Sequence, residues 1–408
     1  MPMRILLVAQ NYHPFIGGVE THARQIAHEM SKKHHVDIAA GNFLQKKLPT
    51  RLAVLGTSLL VPSYPSYQDG PVFVHSLTPK LFDRVRMLPI ALRCVPKLCS
   101  LAYHSLNRFG YPWYRNVYLP KLRALVQGVD VVHSLAGGYL GWTAQEAAKR
   151  AGVPFVCTPF CHPHQWGDGP EDIAYYQKAD AVIGLVETDR DYLVSIGVPK
   201  EKTHVIGVSP ELPERADPEE FRKRHGLEGV PIVLYVGRMM PQKGAKAVFD
   251  AAPLVWERFP EARFVFIGPG TVDWFQAADP RIVCLGKVSF QEKADALAAC
   301  DIFCMPSLSE ILPTVYLEAW SYGKPVVGGM AHGLPELVEG NCAGLNVSQK
   351  PPEVAEAIIK LLANPELRTR FGENGRQLVC QKYSVAAVTQ ALLTLYSSLL
   401  ESRETVAL

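Results

Sequence analysis

The sequence predicts an α/β protein made of two doubly wound, Rossmann-like domains that face each other across a cleft. Three observations carry this. A chain of 408 residues is longer than one ordinary core organises. Short apolar runs alternate with helical stripes, the pattern of a parallel sheet covered on both faces. The alternation halts at 210–229, a stretch rich in proline and charge, and then restarts.

The first domain opens with "RILLVAQ", a strand. Val19, Ala23, Ile26, Ala27 and Met30 follow at helical spacing. "HVDIAAG", "VDVVHSL", "PFVCTPF" and "DAVIGLV" are further strands, each ended by Gly, Pro or polar residues. The stretch 38–77 reads as strands and loops, and 80–125 as mixed helical material. In the second domain "PIVLYVGR", "ARFVFIGPG", "IVCLGKV", "DIFCMPS" and "KPVVGG" are the strands. Helices are expected over 244–258, over 290–299 and from Pro313, where proline suits a first helical turn. Gly323 reads as the stop of that last one. The final helix, Val385 to Leu400, carries an apolar stripe (Val388, Ala391, Leu392, Leu395, Leu399) that needs something to dock on. The expected boundaries are 1–207, 208–383 and 384–408.

Composition is that of a soluble globular protein, 48% hydrophobic and 20% charged. Nothing in it resembles a transmembrane helix. "ILLVA" is far short of the roughly 20 residues a span needs, so it reads as a strand and not a signal peptide. Nine cysteines, an odd number, fit a reducing cytosol better than a disulfide scaffold. Cys157, Cys161, Cys300 and Cys304 read as core residues and not zinc ligands. Lys80, Arg84, Arg86, Arg93, Lys97, Arg108, Arg115, Lys121 and Arg123 stand in one segment whose only acid is Asp83. A local excess of +8 on a chain of net +3 points to an anionic partner there, the acceptor or a membrane surface. Nucleic acid is not the expected partner.

Candidate functional residues sit where strands end. Gly17 and Gly18 precede the first helix, and allow close backbone approach beside free N–H groups. The pattern is neither the dinucleotide fingerprint nor a P-loop. "VGRMMPQKG" places Arg238 just past a strand and Lys243 at the mouth of the next helix, a setting for a diphosphate. "SEILPTVYLEA" places Glu310 in a loop and Glu318 in the following helix. Carboxylates accept hydrogen bonds from hydroxyls, and cations hold phosphates. The mix suits a diphosphate flanked by sugars, which is a nucleotide sugar.

With "PFIGGVE", "VGRMMPQKG", "IGPG", the pair Glu310 and Glu318, and "GKPVVGGMAHGLPELV", the chain resembles the retaining glycosyltransferases of family 4, with the GT-B fold, over nearly its full length. The resemblance implies that Arg238 and Lys243 bind the donor diphosphate, that Glu318 holds the ribose hydroxyls, and that Glu310 contacts the donor sugar. Gly268, Leu312, Pro313 and Thr314 would complete the donor site, and Gly17 and Gly18 would let the first loop close over it. The last helix would cross back onto the first domain. The family's active-site histidine falls in "TPFCHPHQW", which offers His162 and His164; spacing from the strand favours His162. Ile311 and Leu312 stand where the family often has glycine or Phe-Gly, and His332 takes a glycine-like position. Retaining transfer from a UDP- or GDP-sugar to a hydroxyl of a glycan or glycolipid is the implied activity. It would run in the cytoplasm, peripheral to the inner face of the membrane, with catalysis resting on His162, Glu310, Arg238 and Lys243. A nucleotide-sugar epimerase or a phosphorylase on the same fold, and a non-catalytic nucleotide-sugar or lipid-binding protein, are the alternatives. No cofactor and no metal are expected: the one D-x-D match, Asp189 to Asp191, lies in a helical pattern and is assigned to the helix surface.

Overall fold

The computed structural model describes residues 2–15, 17–41, 55, 58–94, 103–270, 273–275 and 279–407. Part of the 38–77 stretch, Lys97, and the side chains of Arg93 and Arg108 lie outside the described residues. The chain divides into two units. The first comprises Met1–Gly184, Arg190–Ile206 and Thr389–Leu408, and the second Leu185–Asp189 and Gly207–Val388.

In the first unit the strands are β1 (Arg4–Ala9), β2 (His35–Ala40), β3 (Tyr67–Asp69), β4 (Val72–Ser76), β5 (Val131–Ser134), β6 (Phe155–Cys157), β7 (Ala181–Gly184) and β8 (Thr203–Val205). They form one sheet in the order β3-β4-β2-β1-β5-β6-β7-β8. All pairings are parallel except β3 with β4. Ile5 to Ala9 are buried along their whole length, as expected of a central parallel strand covered on both faces. The order reverses between β1 and β5, the switch point of this sheet. Helices α1 (Gly18–Met30), α2 (Leu81–Met87), α3 (Tyr103–Val126), α4 (Gly138–Ala151) and α5 (Pro170–Gln177) join the strands, and α6 (Glu187–Ser195) follows β7. α3 fixes itself to the core by Tyr114 and Tyr118, stacked at 4.1 Å.

The basic segment is less available than its charge count implies. Arg115 pairs with Glu146, and Lys121 with Asp83 at 2.9 Å. Arg84 donates to the carbonyls of Leu59 and Val61. These three cations are structural.

The second unit has β9 (Ile232–Val236), β10 (Arg263–Ile267), β11 (Ile282–Gly286), β12 (Ile302–Met305), β13 (Val326–Gly328) and β14 (Gly344–Asn346). The sheet is parallel throughout, in the order β11-β10-β9-β12-β13-β14, so its switch point lies between β9 and β12. α7 (Pro218–Arg224), α8 (Ala245–Trp256), α9 (Phe290–Ala299), α10 (Thr314–Ser321), α11 (Leu334–Val338), α12 (Pro351–Ala363) and α13 (Pro365–Leu378) complete it. Cys157, Cys161, Cys300 and Cys304 are all core residues.

Two expectations need correction. Pro365–Arg403 is one 39-residue helical run that passes for a membrane span by length and composition. Leu378, Val379, Val388, Leu392 and Leu395 within it are buried in the protein, and about a third of its most apolar stretch is buried overall. Within it lies the last helix, α14 (Val385–Ala407). The second correction is Asp189, which is buried and not on a helix surface. Its carboxylate accepts a hydrogen bond from the Leu185 N–H at 2.8 Å, closing the turn into α6. Burial pushes its pKa up to about 6, against that hydrogen bond and with help from Glu336. Asp191 is exposed and pairs with Arg190 at 2.8 Å.

Candidate active site

The loops that leave β9, β10, β12 and β13 at their carboxyl ends gather on one edge of the second sheet. Glycines make the gathering possible. Gly268 follows β10 at φ +143°, and a Cβ there would lie 1.8 Å from the carbonyl oxygen of Gly237. No other residue brings these two strand ends so close. Gly244 precedes α8 at φ +80°, where a Cβ would lie 2.6 Å from the Pro306 carbonyl oxygen. The loops on either side of the switch point therefore meet backbone to backbone. Leu308 N donates to Gln242 O at 2.8 Å and locks them together.

That contact places Lys243 beside Glu310. Lys243 closes the tight turn Pro241–Lys243 and reaches across to β12's loop. Its ammonium donates to the Ser309 carbonyl at 2.8 Å and to the Glu310 carboxylate. The lysine and glutamate side chains are only 15% and 17% exposed. An ion pair this enclosed is a charge-assisted contact, stronger than a solvated surface pair. Arg238 lies just past β9 with an exposed side chain, while its own carbonyl accepts from the Tyr235 hydroxyl at 2.9 Å.

α10 starts at Thr314 with Pro313 as its cap. Ile311 and Leu312, where the family pattern often has glycine, are buried and anchor the loop. Tyr316 donates its hydroxyl to the Met305 carbonyl at 2.6 Å, so α10 is pinned to the end of β12. Glu318 lies two residues further and is buried, not solvated. Lys293 of α9 meets its carboxylate at 2.8 Å. Burial holds the Glu318 carboxyl above the usual carboxylate range, and the Lys293 ammonium opposes that. Lys293 carries no sequence signal, because it comes from a helix whose other polar residues read as surface. His332 is half-buried and stands just before Gly333, which takes φ +81° at the mouth of α11.

The remaining candidates belong to the first unit, at the carboxyl edge of its own sheet. Gly17 caps α1 in extended backbone, and Gly18 is the first helical residue. A Cβ at Gly17 would lie 2.3 Å from a Glu20 carboxylate oxygen, whereas Gly18 has open space around it. His162 follows β6 and is half-buried, with its ring 4.7 Å from Trp166. His164 is exposed at φ +60°, its N–H donating to Asp168 at 2.6 Å. Of the two, His162 is the more enclosed. Two further histidines in this unit escaped the sequence reading. His133 in β5 bonds Tyr396 at 2.6 Å and Thr158 at 2.8 Å, and burial pushes it down to about 3. His22 of α1 is buried and pushed down to about 4 for the same reason. Both are neutral at physiological pH, and His133 serves to bind α14 to the sheet. No cluster of three metal-ligating side chains forms among the described residues.

Two doubly wound domains, one with a lysine–glutamate pair at its switch point, define a class of Rossmann-type α/β proteins. Comparison with known proteins narrows the class. Residues 17–209 match the model of a glycosyl transferase 4-like domain, and residues 230–364 that of glycosyl transferases group 1. The chain belongs to this glycosyltransferase family. It is 31% identical over 234 residues to the alpha-D-kanosaminyltransferase of Streptomyces kanamyceticus, covering 54% of this chain and 61% of that protein. It is 28% identical over 203 residues to the phosphatidyl-myo-inositol mannosyltransferase of Mycobacterium tuberculosis, covering 46% and 53%. The alignments thus span between about half and three-fifths of the length of these relatives. The crystal structure of Anabaena Alr3699/HepE in complex with UDP has the same fold, with a TM-score of 0.69 over 97% of this chain and all of that one, at 19% identity.

Proposed function

We propose that the chain transfers a sugar from a UDP- or GDP-sugar to a hydroxyl of a glycan or glycolipid, with retention at the anomeric carbon. The observation that carries this reading is the enclosed Lys243–Glu310 pair at the switch point, on the loop that leads into the helix carrying the buried carboxylate Glu318. Lys243 and Arg238 take the diphosphate. Lys243 leaves Glu310 as it does so, which frees Glu310 to accept from donor sugar hydroxyls. Glu318 accepts from the ribose hydroxyls, and Lys293 offsets part of the cost of burying its carboxylate. Gly268, Leu312, Pro313 and Thr314 shape the loop around the donor, and Gly17 and Gly18 close over it. His162 stands at the acceptor side.

Departure of the nucleotide is the chemical problem. Fixed cations beside the diphosphate stabilise the charge that develops there, and holding both substrates supplies the rest. The leaving phosphate takes the acceptor hydroxyl's proton. Protein cations do this work without a metal or other cofactor. The names of the relatives support group transfer over epimerisation, and one of them, a phosphatidyl-myo-inositol mannosyltransferase, supports a lipid acceptor. The enzyme works in the cytoplasm, peripherally at a membrane surface. Donor consumption with and without candidate acceptors tests the reading, with the product's anomeric configuration read by NMR. Acceptor-dependent release of nucleotide with retained configuration is expected; acceptor-independent conversion of the donor into an isomer would favour the epimerase.

A further inference from the structure

Outside that site the most unusual surface lies on α2 and the 3-10 turn that continues it, Leu88–Cys94. Leu81 is 79% exposed and Phe82 65%, and Val85, Leu88 and Leu92 are exposed beside them. Positions 81, 85 and 88 recur at α-helical spacing, so they form one stripe, with Phe82 next to it and Leu92 exposed further along on the 3-10 turn. Soluble proteins rarely gather large apolar side chains this way without a partner for them. The opposite side of the segment is anchored: Met87 and Ile90 are fully buried. Asp83 is turned to the protein, accepting from Lys80 N at 2.9 Å and Lys121 Nζ at 2.9 Å. Arg84 is held by the Leu59 and Val61 carbonyls. What remains around the stripe is positive. Lys80 and Arg86 are exposed, and the Arg86 guanidinium lies 4.5 Å over the Phe82 ring.

We propose that this stripe is a wedge that inserts into the interfacial layer of an anionic lipid bilayer, with Lys80 and Arg86 seated among the lipid phosphates. Charge decides the occupant. A second copy of the chain would bring two positive rims together, because a two-fold contact opposes a surface to itself. An anionic bilayer offers an apolar layer bounded by negative charge, which matches the stripe and its rim. The inference rests on the membrane-surface part of the proposed function and changes its physical basis. Arg84, Arg115 and Lys121 are committed inside the protein, so attraction between charges is the smaller contribution and apolar insertion the larger. Binding then survives salt in large part, since salt screens only the charges.

The test is co-sedimentation of the full chain with phosphatidylglycerol-rich vesicles and with pure phosphatidylcholine vesicles, at low and high salt. The variants are Phe82→Ser/Leu88→Ser and Lys80→Gln/Arg86→Gln, each checked for an unchanged melting temperature. Phe82→Trp serves as a fluorescent reporter that keeps the stripe apolar. The wild type should bind phosphatidylglycerol vesicles, and the serine pair should lower partitioning by roughly tenfold or more at both salts. The glutamine pair should lower it by roughly tenfold at low salt and little at high salt. The tryptophan emission should shift to the blue on vesicles. Absence of wild-type binding would overturn the wedge together with the membrane-surface reading. Wild-type binding that the serine pair leaves intact would overturn the wedge alone. A wild-type dimer that the serine pair dissociates, without vesicle binding, would make the stripe a self-association surface instead. Thermal shift with nucleotide sugars reports separately on the donor site, so none of these failures is mistaken for failure of the transferase reading.

Discussion

Lys293→Met isolates the link between stability and the buried carboxylate. In the native protein Glu318 is buried and Lys293 is its ion-pair partner at 2.8 Å. Removing one partner of a buried pair leaves an uncompensated charge and costs about 3–5 kcal/mol. The Lys293 side chain is 25% exposed, so water takes over part of its role and the lower end, about 3 kcal/mol, applies. For a domain of 150–250 residues this lowers the melting temperature by about 6–12 °C. The pH dependence follows from the direction of the shift. Glu318 is held above the usual carboxylate range, so the folded state binds its proton more tightly than the unfolded chain. The penalty for burying the ionised carboxyl is absent below the unfolded value and grows as pH rises through the folded one. Loss of Lys293 raises the folded value further. The variant therefore loses most at neutral pH and approaches wild type as pH falls toward the carboxylate range. Glu318→Gln in the Lys293→Met background removes the orphaned charge and should recover much of the loss. Calorimetry of the wild type, both single variants and the double variant across pH measures this. A Lys293→Met melting temperature within about 1 °C of wild type at neutral pH would refute the reasoning, as would a double variant less stable than Lys293→Met alone.

Three further outcomes are expected. Glu318→Ala should raise the donor KM, while Glu310→Ala should mainly lower kcat; wild-type kinetics in both would remove the pair from the donor site. Gly268→Ala should destabilise the second domain by about 2–4 kcal/mol, because φ +143° and a Cβ 1.8 Å from the Gly237 carbonyl oxygen force the backbone to move; an unchanged melting temperature would contradict that. Replacing Arg238 and Lys243 together by alanine should cost far more activity than a chelator, since each charge-assisted hydrogen bond is worth about 1.5–3 kcal/mol. Complete loss of activity in EDTA, restored by magnesium or manganese, would show that the protein cations do not replace a metal.

The sheet framework is legible in the sequence because strands buried on both faces must be continuously apolar, as "PIVLYVGR" and "RILLVAQ" are. The strand ends that carry Arg238, Lys243 and Glu310 are legible for the same reason, together with the glycines that let the loops approach. Short strands with little burial are not. β8 and β14 have three residues each and only one buried residue apiece, too little pattern to separate from loop. Tertiary partners are also invisible. Lys293 and Glu318 lie on different helices, and nothing local marks either as half of a pair. Asp189 reads correctly as helical, but its carboxylate turns back onto Leu185 N, which a helical pattern does not reveal. Charge counting overstates the basic segment, because it cannot tell which cations already hold Glu146, Asp83 or backbone carbonyls.

The most direct test of the donor site is isothermal titration of the wild type and Glu318→Ala with a panel of UDP- and GDP-sugars and the free nucleotides. One nucleotide class should bind the wild type at a single site, and Glu318→Ala should bind that ligand at least roughly tenfold more weakly, the loss of a charged hydrogen-bond acceptor. Failure of every UDP and GDP ligand to bind the folded wild type, or equal binding by Glu318→Ala, would contradict the account.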